Sequence, residues 1–137
     1  MAQRGRPKKN LEYSQTIFDD APHFKEVEFC KVGCHKSDMQ PATLRRLERL
    51  REIVNEPLIL SSAYRTPYHE QLKGRPTNGA HTLGCAVDLV CDNNLLRYKI
   101  VAAAVQVGFN RIGIGKNFIH LDDSNVHNSP RIWTYYN

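Results

Sequence analysis

The sequence predicts an α+β fold, a small and largely antiparallel sheet with helices packed on it. Two stretches repeat apolar residues at helical spacing, several short apolar runs are bounded by turn formers, and the last two of those runs are joined tightly enough for a hairpin. From about Met39 to Val54, Leu44, Leu47, Leu50 and Ile53 form one stripe, with Arg45, Arg46, Glu48, Arg51 and Glu52 on the other faces. Pro41 suits the first turn of that helix and Pro57 lies beyond its end. Leu58-Ile59-Leu60-Ser61-Ser62 is short, apolar and flanked by breakers, as a strand should be. Residues 66–79, TPYHEQLKGRPTNG, are rich in turn formers and are expected to form a long loop. Ala86 to Val90 is the second strand. Asn94 can cap a helix running to about Val107, with Leu96, Ile100, Ala103 and Val107 inward and Gly108 as its stop. Arg111–Ile114 and Phe118–Asp122 then form two strands around a turn at Gly115-Lys116-Asn117.

The 137 residues suit one domain, and 41% apolar with 24% charged residues suits a globular one. No apolar run approaches the roughly 18 residues of a membrane span, so no span is expected. The start of the chain is basic but lacks the apolar stretch of a signal peptide, which makes synthesis in the cytoplasm without one the expectation. The four cysteines, Cys30, Cys34, Cys85 and Cys91, are accordingly expected as free thiols. The net charge of +5 is uneven: Arg4, Arg6, Lys8 and Lys9 fall in the first ten residues with no acid, leaving 15 basic against 14 acidic residues in the remainder. Residues 1–10 are therefore read as a basic flexible tail and 11–137 as a single domain, expected to be a monomer. The tail contains Arg-Gly-Arg-Pro, a string similar to the core of a minor-groove AT-hook, but a solvated polycationic leader is the plainer reading. Weak contact with nucleic acid or an anionic polymer is what such a tail can make.

The chemistry concentrates in AHTLGCAVDLV, residues 80–90. Asp88 interrupts a run that otherwise reads as a buried strand, and a buried charge needs a counter-ion, a metal or a set of hydrogen bonds. His81 stands seven positions earlier, and His120 lies in the later strand FIHLDD. If the two strands are neighbours, His81, Asp88 and His120 converge. Two imidazoles and one carboxylate suit zinc, whose catalytic sites take three protein ligands and keep a fourth position open. Taken singly, each residue has a plainer role: a loop cap for His81, an arginine partner such as Arg65 for Asp88, a satisfied core histidine for His120.

The surrounding motifs resemble the zinc D-Ala-D-Ala carboxypeptidase family of peptidoglycan peptidases, related to the vancomycin-resistance D,D-dipeptidases and to phage L-alanyl-D-glutamate endolysins. The resemblance runs from about Phe24 to Trp133, through HFKEVEFCKVGC, LRRLERLREIVNEPLILSSAYRTPYHE, AHTLGCAVDL, GFNRIGIGKNFIHLDD and PRIW. It implies metal ligation by His81, Asp88 and His120, with Zn2+ as cofactor. It also implies that Arg65, the arginine of Ser-x-Tyr-Arg, binds substrate and steadies the tetrahedral intermediate. The implied activity is hydrolysis of peptidoglycan stem peptides, of D,D-carboxypeptidase or endopeptidase type, by a phage or prophage protein acting at the cell wall once released. Two positions depart from the pattern. Gly79 stands where relatives often carry Ser, and Asn117 occupies the position of the general base, three residues before the last ligand. An amide cannot take a proton, so either another carboxylate serves or the chain is a binding module that keeps the fold and the zinc. Asp122, two residues past His120 on the same side of the strand, is the candidate base, with orientation of a ligand histidine as its alternative role; Asp123 points the other way, and Glu70 on the expected loop is the next choice. Tyr64, Tyr68 and Trp133 can line a cleft, although aromatics at this frequency are more often core, and His69 is a rim residue of the substrate site. Cys30 and Cys34, beside His35, lack common zinc-knuckle spacing and are expected to pack; His23 and His127 carry no functional signal.

Overall fold

The computed structural model describes residues 17–30 and 38–136. The basic tail, the boundary placed after residue 10, and Cys34 with His35 lie outside the described residues. Among the described residues the elements follow in the order α1 (Pro41–Val54), β1 (Leu60–Ser62), α2 (Pro67–Leu72), β2 (Ala86–Val90), α3 (Asn94–Val107), β3 (Arg111–Ile114), β4 (Phe118–Asp122) and β5 (Arg131–Thr134), after helical residues 17–19 and a 3-10 turn at Glu26–Phe29. The strands form one sheet in the order β1-β2-β4-β3-β5, antiparallel except where β5 runs parallel to β3. This is the expected α+β architecture. No helix among the described residues is long and apolar enough to cross a membrane.

The alternation of the strands divides the sheet into two faces. Val87, Leu89, Ile112, Ile119 and Leu121 point to one side, where they join Leu44, Leu47 and Leu50 of α1 and Ile100, Ala103, Ala104 and Val107 of α3 in a single core. Burying each large side chain there contributes about 1.5–3 kcal/mol. The stripe on α1 ends differently from the expectation: Ile53 is exposed, and Val54 takes the inward position. Glu48, assigned to an outer face by periodicity, is buried because both the backbone N–H and the ring of His23 reach its carboxylate. His23 thus has a structural use that its sequence context did not signal. Asn93, one residue before the predicted cap, caps α3 by accepting from the Leu96 N–H at 2.8 Å, and Gly108 ends the helix at φ 100°.

Helix α2 and strand β5 were not expected. Residues 67–72 are a helix, not loop: Thr66 accepts from the His69 N–H at 3.0 Å, Pro67 fills the first turn, and Glu70 is paired behind it. Local capping overrode a composition that looked irregular. β5 escaped because four residues with one apolar face resemble coil until a partner strand is known. Among the cysteines, Cys85 and Cys91 are buried free thiols, while Cys30 is disulfide-bonded, which corrects the expectation of four free thiols. Burial first, and then Asp123 and Asp122, push the Cys85 thiol up to about 12, so it stays protonated and inert.

The segment between α2 and β2 carries His81, and it is held by a close approach of two backbones. Gly84 has φ 78°, and a Cβ there would lie 2.0 Å from the Asp38 carbonyl oxygen; Gln40 N–H donates to the Gly84 carbonyl at 2.8 Å. Gly84→Ala is therefore expected to lower stability by about 1–3 kcal/mol, read as a drop in chemical-denaturation midpoint, with a matching loss of metal affinity because His81 is displaced.

Candidate metal centre

Opposite the core, Asp88 of β2 faces His120 of β4 in direct register, and Gly113 of β3 faces His120 from the other side. His120 Nδ1 lies 3.0 Å from Asp88 Oδ1, and His81 Nε2 reaches the same oxygen at 3.4 Å. The donor atoms of His81, Asp88 and His120 all lie within 4.8 Å of one another. A tetrahedral ion with ligands at about 2.0–2.1 Å holds donor atoms about 3.3 Å apart, so the spacing suits zinc.

The tautomers suit it as well. His81 Nδ1 sits 2.6 Å from the Ala63 carbonyl oxygen, which can only accept, so Nδ1 carries the proton and Nε2 presents its lone pair to the centre. His120 Nε2 donates to Asp122 Oδ2 at 2.6 Å, leaving Nδ1 for the centre. Each ring is thus oriented by a partner behind it, the arrangement that fixes metal-binding histidines.

Electrostatics follow the same geometry. Burial alone would raise the Asp88 carboxyl, but its bonds with His120 and His81 outweigh this and hold it well below the usual carboxylate range. For His120, burial favours the neutral ring, yet Asp122 and Asp88 on its two sides raise it above the ordinary 6.5. No arginine is bonded to Asp88 among the described residues: its partners are the two imidazoles.

Asp122 is fully buried, and its carboxylate is occupied. Arg111 Nε lies 2.9 Å from Oδ1, the Ser124 N–H donates to Oδ1 at 3.1 Å, and Oδ2 receives His120. Burial would raise this carboxyl too, but His120, Ser124 and Arg111 together lower it. Asp122 stands on the far side of the His120 ring from Asp88, the place of a group that steers the histidine. Asp123 does point the other way, accepting from Thr43 Oγ1 at 2.7 Å with Arg46 at 3.7 Å.

Arg65 is tied to the centre through the backbone, its N–H meeting the His81 carbonyl at 3.4 Å. Its Nη1 donates to Ser62 Oγ at 2.8 Å, and its Nε lies 3.3 Å from Glu70 Oε2 without the alignment of a hydrogen bond. Glu70 is itself held by Arg75, whose Nη2 reaches Oε2 at 2.8 Å and whose Nε reaches both oxygens at 3.2 Å. Burial would raise Glu70, but Arg75 and Arg65 lower it, so the two arginines favour its anionic form. His69 belongs to the same group, its Nε2 3.4 Å from Arg75 Nη2. Tyr64, expected in the cleft, is a core residue whose hydroxyl meets Asp38 at 3.3 Å; it follows β1 on the side that packs inward. Asn117 lines an open depression of about 440 Å³ together with Ser61, Asp88, Val90, Asp92 and Phe118.

The model of the family described as Peptidase M15 matches residues 18–122, well over half of the chain. The chain belongs to the Peptidase M15 family. The match contains His81, Asp88 and His120, and membership places the chain among zinc-dependent peptidases of peptidoglycan at the level of the family. No curated protein matches it. Sequence reasoning missed two supports of this M15 centre: the Ala63 carbonyl, which no side-chain motif announces, and Arg111, whose partnership with Asp122 depends on the β3–β4 register.

Protons and metal compete for His120, and the signs can be worked out. A raised imidazole stabilises the metal-free fold fully below pH 6.5 and loses that contribution as pH rises through its raised value; the depressed Asp88 contributes above its ordinary 3.8 and is lost only as pH falls through its lowered value. Metal-free protein should therefore melt at lower temperature as pH climbs past 6.5, whereas stabilisation by added zinc should grow over the same range, because Nδ1 must lose its proton to bind. Asp122→Asn should weaken zinc affinity by about 10–100-fold, measured by competition with a chromogenic chelator.

Proposed function

We propose that the chain is a zinc peptidase that hydrolyses stem peptides of bacterial peptidoglycan, as a D,D-carboxypeptidase or an endopeptidase of endolysin type. The observation that carries this reading is the convergence of His81 Nε2, Asp88 Oδ1 and His120 Nδ1, each ring oriented from behind, beside an arginine buttressed by a buried glutamate. Zinc held by these three would polarise the scissile carbonyl and lower the pKa of a water to about 7. Asp88, His81 and His120 hold the ion, and Asp122 with Arg111 keeps His120 in its ligating orientation. Arg65 supplies a permanent positive charge for a substrate carboxylate or for the carbonyl oxygen as it becomes anionic. Glu70 and Ser62 keep its guanidinium in place, and His69 with Arg75 edges that subsite. Asp122 serves as the orienter in this reading and not as the base, because its oxygens are occupied.

Phage or prophage coding, action at the wall after release, and contact of residues 1–10 with anionic polymer complete the proposal; a tail made of Arg4, Arg6, Lys8 and Lys9 would act through charge and release its partner with salt. One observation favours a second reading. Asn117 borders the depression beside Asp88 where a relative's base would stand, as expected of a module that binds wall peptides without cutting them.

Incubating zinc-loaded protein with muropeptides and weighing the products separates the two. The peptidase reading predicts new fragments that vanish with chelator and return with zinc, and Arg65→Lys should keep fold and zinc while losing about tenfold or more in turnover. Retention of muropeptides without any cleavage would establish the binding module instead.

A further inference from the structure

β5 and the residue after it bring two aromatic rings onto the face of Asp88 and His120 from outside the stretch matched by the family, which ends at residue 122. Trp133 pairs with Gly113, and Gly113 pairs on its other side with His120. The glycine is required by what lies over it: a Cβ at 113 would stand 2.7 Å from Trp133 Nε1 and 2.7 Å from Tyr135 Cε2. Both rings therefore cover the sheet position next to His120. The Trp133 ring lies 5.5 Å from that of His120, with the Arg111 guanidinium 5.0 Å from the indole centroid.

Tyr135 is fixed in this position. Its N–H donates to the Ile114 carbonyl at 2.9 Å, and its ring lies 5.0 Å from Phe118 and 6.3 Å from Trp133. Phe118 in turn borders the depression that holds Asp88 and Asn117. The residue is about half exposed, so the phenol is braced by rings and still open to a ligand. The ring stands over Gly113, whose partner on the other side is His120, and so on the face that carries Asp88. Burial, followed by Asp88 and Asp122, keeps the phenol proton on at neutral pH.

We infer that the Tyr135 hydroxyl is a further substrate-contacting group of this centre, donating a hydrogen bond to the scissile carbonyl oxygen as it turns anionic. The inference rests on the peptidase reading above. Arg65 approaches from the β1 side and Tyr135 from the β5 side, so the developing charge meets a donor on each flank. In the reaction, the water oxygen bonds to the carbonyl carbon, the C–N bond breaks, and a water proton ends on the new amine. Tyr135 lends its proton to the oxygen without giving it up. Packing alone would also account for a ring at this position, and a Phe replacement keeps the packing while removing the donor.

The test joins kinetics to a measurement that does not depend on turnover. With zinc-loaded protein and muropeptides, Tyr135→Phe should lower kcat by about 10-fold or more with KM within about twofold of the parent, the pattern of a contact made in the transition state. Zinc content and melting temperature should be unchanged. In cobalt(II)-loaded protein with 13C-labelled tyrosine, the ring signal that disappears in Tyr135→Phe should be broadened far more than that of Tyr98 on α3, across the sheet. Broadening no greater than that of Tyr98, or a fully active Phe variant, overturns the inference while leaving the peptidase reading intact. Failure of the unaltered protein to cleave any muropeptide overturns the peptidase reading, and with it a role for Tyr135 in that reaction.

Discussion

A carboxylate in the middle of a sheet sets the terms for the rest of this molecule. Asp88 is paired through strand register with His120 and approached by His81 from a loop, and those two imidazoles are the partners that its charge finds. A slip of β4 by one residue against β2 would turn His120 and Asp122 into the apolar core and expose Ile119 and Leu121, so the hydrophobic pattern and the site enforce the same register. The pairing is self-consistent, with His120 bonded between two carboxylates that raise its pKa, and it is poised for an ion that would compete with the proton on Nδ1.

Around this pairing the sheet separates duties by face and by edge. The face toward α1 and α3 is a continuous apolar core. The other face carries Asp88 and His120, with Arg65 on its Glu70 support between β1 and α2, and Trp133 of β5 and Tyr135 just after it over Gly113. The side chains nearest the centre are set by groups one step further out: the Ala63 carbonyl for His81, Asp122 and Arg111 for His120, Glu70 and Ser62 for Arg65. Such outer partners hold a reactive geometry ready before substrate arrives, which is where electrostatic catalysis gains its advantage.

Much of this arrangement was legible before any coordinates. Period-2 and period-3.6 patterns located β2, β3, β4, α1 and α3 to within a residue or two, and the oddity of Asp88 in an apolar strand pointed to the centre. What escaped shares one physical cause, dependence on contacts distant in sequence. α2 is six residues stabilised by a Thr66 cap and the Arg75–Glu70 pair, in a composition that also describes loops. β5 is a strand only because β3 lies beside it, and Tyr64 is drawn into the core where its N–H donates to the Phe29 carbonyl. Asp122 could be placed on the side of His120 from alternation, but its partnership with Arg111 required the register of β3 on β4.

The central claim is that zinc is held by His81 Nε2, Asp88 Oδ1 and His120 Nδ1. X-ray absorption at the zinc edge, on protein loaded with one equivalent, tests it most directly. The account predicts a four-coordinate first shell of nitrogen and oxygen at about 2.0–2.1 Å, with the imidazole scattering reduced to a single ring in His120→Ala. A shell containing sulfur at about 2.3 Å, or a spectrum unchanged by His120→Ala, would place the metal elsewhere and contradict it.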